Sequence, residues 1–241
     1  MAFHRCNCTY VPPQVLDKLA TQSDPSTRAR ARLSAQQAKL SRSQRAVRPV
    51  QMSAILAGAT ASSSSAANRE VYHCQHRWEQ RYELARAEGD AATADPDVDT
   101  VYEFAGIVRE YFRTELSRNS IDNLGMKLVL NVHFGEDYMN AFWDGDEMTF
   151  GDGDGIIFTS FARSLDVTAH ELAHGVTQFT ANLDYYSQSG ALNEHFSDVF
   201  GTVITQRHLC QDAGTADWLV GNEIMGPSLF GEALRSMKAP G

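Results

Sequence analysis

The chain has 241 residues, 43% hydrophobic and 21% charged, with a formal net charge of −9. That length suits one large domain or two small ones, and the composition is ordinary for a soluble globular protein. The most apolar candidate for a membrane span, residues 50–67, is interrupted by serines and a threonine, and the N-terminus lacks the apolar core of a secretory signal.

Four cysteines (Cys6, Cys8, Cys74, Cys210) give no disulfide framework, and Cys6 and Cys8 lie too close together to favour a mutual bridge. A cytoplasmic protein, or one exported by a non-classical route, is expected. Charge divides by region: residues 1–50 hold nine Lys/Arg against two acids, and the remainder twelve against twenty-eight. A basic arm beside an acidic body docks more economically on that body than on nucleic acid. No nucleic-acid or membrane partner is expected, and the chain reads as a monomer.

Residues 1–48 read as a basic helical segment. Pro12-Pro13 begins a short helix carrying Val15, Leu16 and Leu19, and the Ala/Gln-rich run from Arg28 to Arg48 continues as helix. Residues 49–68, with the Ser62–Ser65 run, read as a flexible linker. Residues 70–95 are polar and read as irregular, with His73-Cys74-Gln75-His76 as surface residues because their spacing suits no standard metal finger. Asp95-Pro96 marks a helix start, and Val98, Val101, Ala105, Val108, Phe112 and Leu116 mark its buried stripe. Met126–Phe134 and Asn140–Trp143 read as strands, followed by a strand entering the Gly/Asp turn of Met148–Gly155. The sheet-containing lobe is placed at 69–163, and a second region at 164–241.

That second region carries the chemistry. Asp166–Gly175 contains His170-Glu171-Leu172-Ala173-His174. On a helix, histidines four apart leave from one face one turn apart, so two imidazoles can grip one metal ion. Glu171 stands beside that ion, where a carboxylate can act as base on metal-activated water. Nineteen residues separate His174 from Glu194, which lies on a second helix whose apolar positions are Leu192, Phe196, Val199, Phe200, Val203 and Ile204. Two His and one Glu form the ligand set of hydrolytic zinc enzymes and leave one position open. Asp198, one turn past Glu194, is placed to hold a ligand imidazole.

His170–His174 together with Gly190–Gly201, Asn140–Gly145 and Met148–Gly155 resembles the thermolysin family of metallopeptidases. The resemblance implies an α+β fold: a mixed, mostly antiparallel sheet lobe, the zinc helix, and the start of an α-helical C-terminal lobe. It implies a zinc-dependent endopeptidase cutting before hydrophobic residues of a peptide or protein substrate. Zinc is then held by His170, His174 and Glu194, Glu171 is the base, and Tyr185 donates to the developing oxyanion. By the same resemblance Asn140 and Ala141 bind the substrate backbone, Arg235 orients its carbonyl, and Leu234 and Val167 line an apolar pocket. Asp166 and Asp217 stand at calcium-ligand positions. Thr205, Leu219 and Asn222 replace carboxylates there, so a double site is not expected and at most one weak Ca²⁺ is.

Residues 1–48 are similar to the short propeptide of protealysin-like members, which implies a zymogen inhibited by its own propeptide and processed between about Arg48 and Arg69. A Cys6 or Cys8 thiolate on the zinc is a sharper form of that lock. The family's helical lobe continues past the point where this sequence stops and carries a histidine; here none follows His208. A truncated zinc-binding fragment of low activity, and a non-catalytic zinc module, therefore stay open as rival readings.

Overall fold

The computed structural model describes residues 9–22, 24–47 and 66–239. Its first two helices, α1 (Pro13–Gln22) and α2 (Pro25–Val47), both open on proline, whose fixed φ and missing N–H suit the first helical position. Thr27, Ala31, Ser34 and Ala38 recur at helical spacing along the buried side of α2. Ser34 Oγ accepts from the Met139 N–H at 3.0 Å, and Arg30 pairs with Asp137 at 2.7 Å, so α2 lies against the loop before residue 140. Cys6, Cys8 and the expected linker up to Ser65 lie outside the described residues.

Five strands form the main sheet: β1 (Arg69–His73), β2 (Glu83–Ala87), β3 (Leu128–Val132), β4 (Ala141–Trp143) and β5 (Met148–Phe150), in the order β2-β1-β3-β5-β4. The fold is α+β with a mixed sheet, but the expected antiparallel predominance is absent. β1–β3 and β3–β5 are parallel, and β1–β2 and β4–β5 are antiparallel. Residues 70–95 are thus not irregular. β2 is a polar edge strand, and an edge held by one ladder carries little apolar alternation to reveal it in sequence.

Between β1 and β3 the chain crosses through α3 (Pro96–Leu116). Asp95 caps it, accepting from the N–H groups of Asp97 and Val98 at 2.9 and 3.4 Å, and Ser117 ends it in the left-handed region at φ 52°. Val98, Val101, Ala105, Val108 and Phe112 are fully buried against the sheet, whereas Leu116, expected to extend the stripe, is 51% exposed. Cys74 is also not at the surface: it is fully buried, and burial pushes its thiol up to about 12.

Helix α4 (Leu165–Gln178) is buried along its whole length, packed between β4, α3 and α5 (Ser187–His208). Gly201 allows α5 to approach: a Cβ there would lie 3.0 Å from the Asp166 carbonyl and 3.6 Å from His170 Cβ. The expected apolar stripe of α5 is only partly covered, since Ile204 is buried but Leu192 and Phe196 are each 43% exposed. A short hairpin, β6 (Leu219–Val220) with β7 (Arg235–Ser236), closes the described chain beside α5. Among the described residues no helix is long and apolar enough to cross a membrane.

Candidate active site

One turn apart on α4, His170 and His174 point the same way, with Nε2 atoms 3.0 Å apart. Across from them, α5 brings Glu194 Oε2 to 3.4 Å from His170 Nε2 and Oε1 to 3.5 Å from His174 Nε2. A tetrahedral zinc with bonds of ~2.0–2.1 Å has ligand–ligand edges of about 3.4 Å. The three side chains therefore stand at ligand spacing.

Their outer contacts prepare them for that role. His170 Nδ1 meets Asp198 Oδ1 at 2.9 Å, and His174 Nδ1 meets Asn193 Oδ1 at 2.8 Å and Ser197 Oγ at 2.9 Å. Nδ1–H donated outward leaves the Nε2 lone pair facing the trio. Two inward lone pairs 3.0 Å apart repel unless a proton or a cation lies between them. The proton affinities show the same tension. Burial alone would lower His170, but Asp198 and Glu194 outweigh it and hold it well above an ordinary imidazole. Burial dominates at His174 and pushes it down. Glu194 is also buried, yet the two imidazoles hold it down to about 2, so it is a carboxylate.

Glu171, next to His170, is fully buried and accepts from the Trp143 backbone N–H of edge strand β4 at 2.7 Å. The backbone of Trp143 thus fixes the Glu171 carboxylate. Tyr185 donates to Glu194 Oε1, and burial together with that carboxylate raises its phenol, so it stays a proton donor. Arg235 forks onto Asp198, Nε to Oδ2 and Nη2 to Oδ1, both at 2.8 Å. His195 faces outward and is exposed.

The cleft between β4 and α4 is filled by the chain's own N-terminal segment. The Tyr10 N–H donates to the Ala141 carbonyl at 3.0 Å, and the Asn140 side chain clasps Val11 from both sides, accepting from its N–H at 2.8 Å and donating to its carbonyl at 3.1 Å. Arg235 Nη1 donates to the Tyr10 carbonyl at 3.3 Å. The Tyr10 ring is fully buried, edge-on to His170 at 5.0 Å, and its hydroxyl donates to Asp166 Oδ2 at 3.0 Å.

Two family models match the chain: "Thermolysin metallopeptidase, catalytic domain" over residues 39–178, and "Thermolysin metallopeptidase, alpha-helical domain" over residues 181–241. The chain belongs to the thermolysin family of metallopeptidases. Among curated relatives of this thermolysin family, it is 47% identical over 175 residues to an extracellular metalloprotease of Pectobacterium carotovorum subsp. carotovorum, covering 73% of this chain and 50% of that one. It is 43% identical over 178 residues to protease PrtS of Photorhabdus sp. (strain Az29), covering 74% and 48%. The chain spans about half the length of these relatives. Among solved structures it is similar to the precursor of protealysin, a metalloproteinase from Serratia proteamaculans, at a TM-score of 0.83 and 37% identity, covering 97% of this chain and 66% of that one.

Of the residues singled out in the sequence, the fold brings together His170, Glu171, His174, Glu194, Asp198, Tyr185, Arg235, Asn140 and Ala141. The calcium pair fares differently. Asp166 and Asp217 both line a cavity of about 50 Å³, with Glu223 as a third acid. Asp166, however, is taken up by the Ser164 hydroxyl, the Gly221 N–H at 2.6 Å and Tyr10, while Asp217 accepts from the Leu219 N–H at 3.0 Å. No three-carboxylate cluster with ligand atoms within 4.8 Å of one another forms there among the described residues, and the fit to calcium is poor. Sequence pattern leaves Tyr10, Asn193, Ser197 and Gly221 unmarked. Asn193 and Ser197 were findable, because four-residue spacing puts them on the His174 side of α5; nothing local marks Tyr10.

Proposed function

We propose that the chain is a zinc-dependent endopeptidase whose own N-terminal segment occupies the substrate cleft and keeps it latent. The observation that carries this reading is the joint placement of a ligand trio at zinc spacing and, beside it, a backbone segment held to β4 by the Ala141 carbonyl and to the Asn140 side chain just before it. An edge strand offers unpaired N–H and C=O groups to any extended peptide, so contacts made by Tyr10 and Val11 are contacts a substrate can make.

Zinc held by His170, His174 and Glu194 would polarise the scissile carbonyl and acidify a water. The chain's own residues do the rest. Glu171, fixed by the Trp143 N–H, takes the proton of the attacking water and returns it to the leaving amine. Asp198 and Asn193 fix the ligand imidazoles through Nδ1. Tyr185, released from Glu194 when substrate enters, donates to the developing oxyanion, and Arg235 orients the carbonyl of the residue after the cut. Asn140 and Ala141 hold the backbone in register. Tyr10 fills the pocket next to Leu234, which supports a preference for a large apolar or aromatic residue following the scissile bond.

Peptidase activity of the zinc-loaded chain, freed of its N-terminal segment, tests the reading. A chelator should abolish cleavage, and Glu171→Gln should lower kcat by about 10²–10⁴ without loss of zinc. Zinc bound with no cleavage selects one of the rival readings, a zinc-binding fragment of low activity or a non-catalytic zinc module, and cleavage indifferent to both treatments removes the mechanism.

A further inference from the structure

The pocket holding Tyr10 is built around the hydroxyl as well as the ring. Phe161 stands edge-on at 6.4 Å and His170 at 5.0 Å, fixing the ring plane. At the far end the hydroxyl reaches Asp166 Oδ2 at 3.0 Å. That oxygen does not depend on Tyr10 for its position, because the Ser164 hydroxyl and the Gly221 N–H hold the carboxylate from the protein side. Gly221, at φ +73°, supplies the space. A Cβ there would lie 3.1 Å from the Tyr10 oxygen and 3.1 Å from Leu234 Cδ1, so the missing side chain leaves room for a phenol oxygen.

We propose that Asp166 and Gly221 form a polar floor in the pocket for the residue after the scissile bond, and that this floor selects tyrosine over phenylalanine in substrates and in the chain's own N-terminal segment. The inference rests on the peptidase reading for its reaction but on Tyr10 alone for its chemistry. Phenylalanine fills the same walls and leaves a buried carboxylate oxygen without the phenol donor. Sites built to bind a substrate hydroxyl can reject the analogue lacking it by 10⁴–10⁵. A water entering beside Gly221 would recover part of that loss. A single hydrogen bond to a charged acceptor then corresponds to about a 10–100-fold preference.

Amide hydrogen exchange at Tyr10 and Val11 in the zinc-loaded full chain reads pocket occupancy without turnover, since both N–H groups are bonded in the docked state. Tyr10→Phe should speed that exchange about 10–100-fold. Asp166→Asn should speed it too, and the double variant should be no faster than the faster single one. Unchanged exchange in Tyr10→Phe overturns the floor, and this variant does not disturb the buried Asp166. A second arm compares kcat/KM for two peptides that differ only in tyrosine or phenylalanine after the cut. A ratio near one overturns the selection and leaves the peptidase reading standing. Failure to cleave either peptide sinks the peptidase reading, while the exchange arm still decides whether the pocket recognises a phenol.

Discussion

Asp198 accepts from His170 Nδ1 on one oxygen and from Arg235 on both, and these contacts outweigh burial to hold its proton affinity far below that of an ordinary carboxylate. One side chain thus fixes the His170 imidazole and the guanidinium that reaches the Tyr10 carbonyl. Asp198→Asn keeps the shape and removes the charge. It should weaken zinc by about 10–100-fold, measured by competition with a chromophoric chelator, and lower cleavage at saturating zinc as Arg235 loses its fork. Asn193→Ala should weaken zinc by a similar factor and leave Arg235 in place, so the two variants separate ligand support from substrate orientation. This scale was the most legible in sequence. Positions four apart on one helix share a face whatever the tertiary fold, so His170 with His174 and Glu194 with Asp198 followed from spacing. Tyr10 did not, because its partner Asp166 lies 156 residues away and only the folded chain joins them.

Among the elements, α3 is tied to the sheet through a titrating clamp at its start. His133 presents Nδ1 to Asp152 at 2.9 Å and Nε2 to Asp95, the N-cap of α3, at 3.0 Å. His73 and His76 join the cluster at 3.5 Å from Asp95 and 3.2 Å from Asp152. These side chains are close enough to invite a metal, but His73 Nδ1 accepts the Gln75 N–H at 2.8 Å. Its Nε2 then carries the proton of the neutral ring and faces Asp95. Burial opposes charge on His133, yet the two aspartates overcome it and raise it to about 9. Its folded value lies above the unfolded one of ~6.5, so the clamp's stability is fully present below pH ~6.5 and is lost as pH rises through about 9. Urea unfolding of the zinc-saturated chain should show a loss on the order of 1–3 kcal/mol over that window. His133→Gln should flatten the dependence, and an equal slope in the variant would remove the clamp. Element types were mostly legible, since α3, α4 and α5 fall where caps and periodicity put them. Strand direction and helix covering were not: periodicity says which residues share a face, not what lies over it, as exposed Leu192 and Phe196 show.

For the whole molecule, the proposed function makes the docked N-terminal segment a tethered competitor of every substrate in solution. The tether makes docking intramolecular, at an effective concentration of roughly millimolar. Weak contacts therefore suffice: Tyr10 and Val11 on β4, Leu16 and Ala20 in the core, and Ser34 on Met139. The expected processing stretch between about Arg48 and Arg69 joins the two parts. A single cut there turns docking into a bimolecular equilibrium. The uncut zinc-loaded chain should then show the same low specific activity at micromolar and nanomolar concentration. The cut chain should gain specific activity on dilution, as the segment dissociates and no longer returns. Adding an excess of a peptide covering residues 1–47 to the diluted, cut chain should restore latency competitively with substrate, and Asn140→Ala should weaken that inhibition because Val11 loses both of its partners. Specific activity that stays constant on dilution after the cut would mean the segment is not held by this equilibrium, and the latency would need another cause.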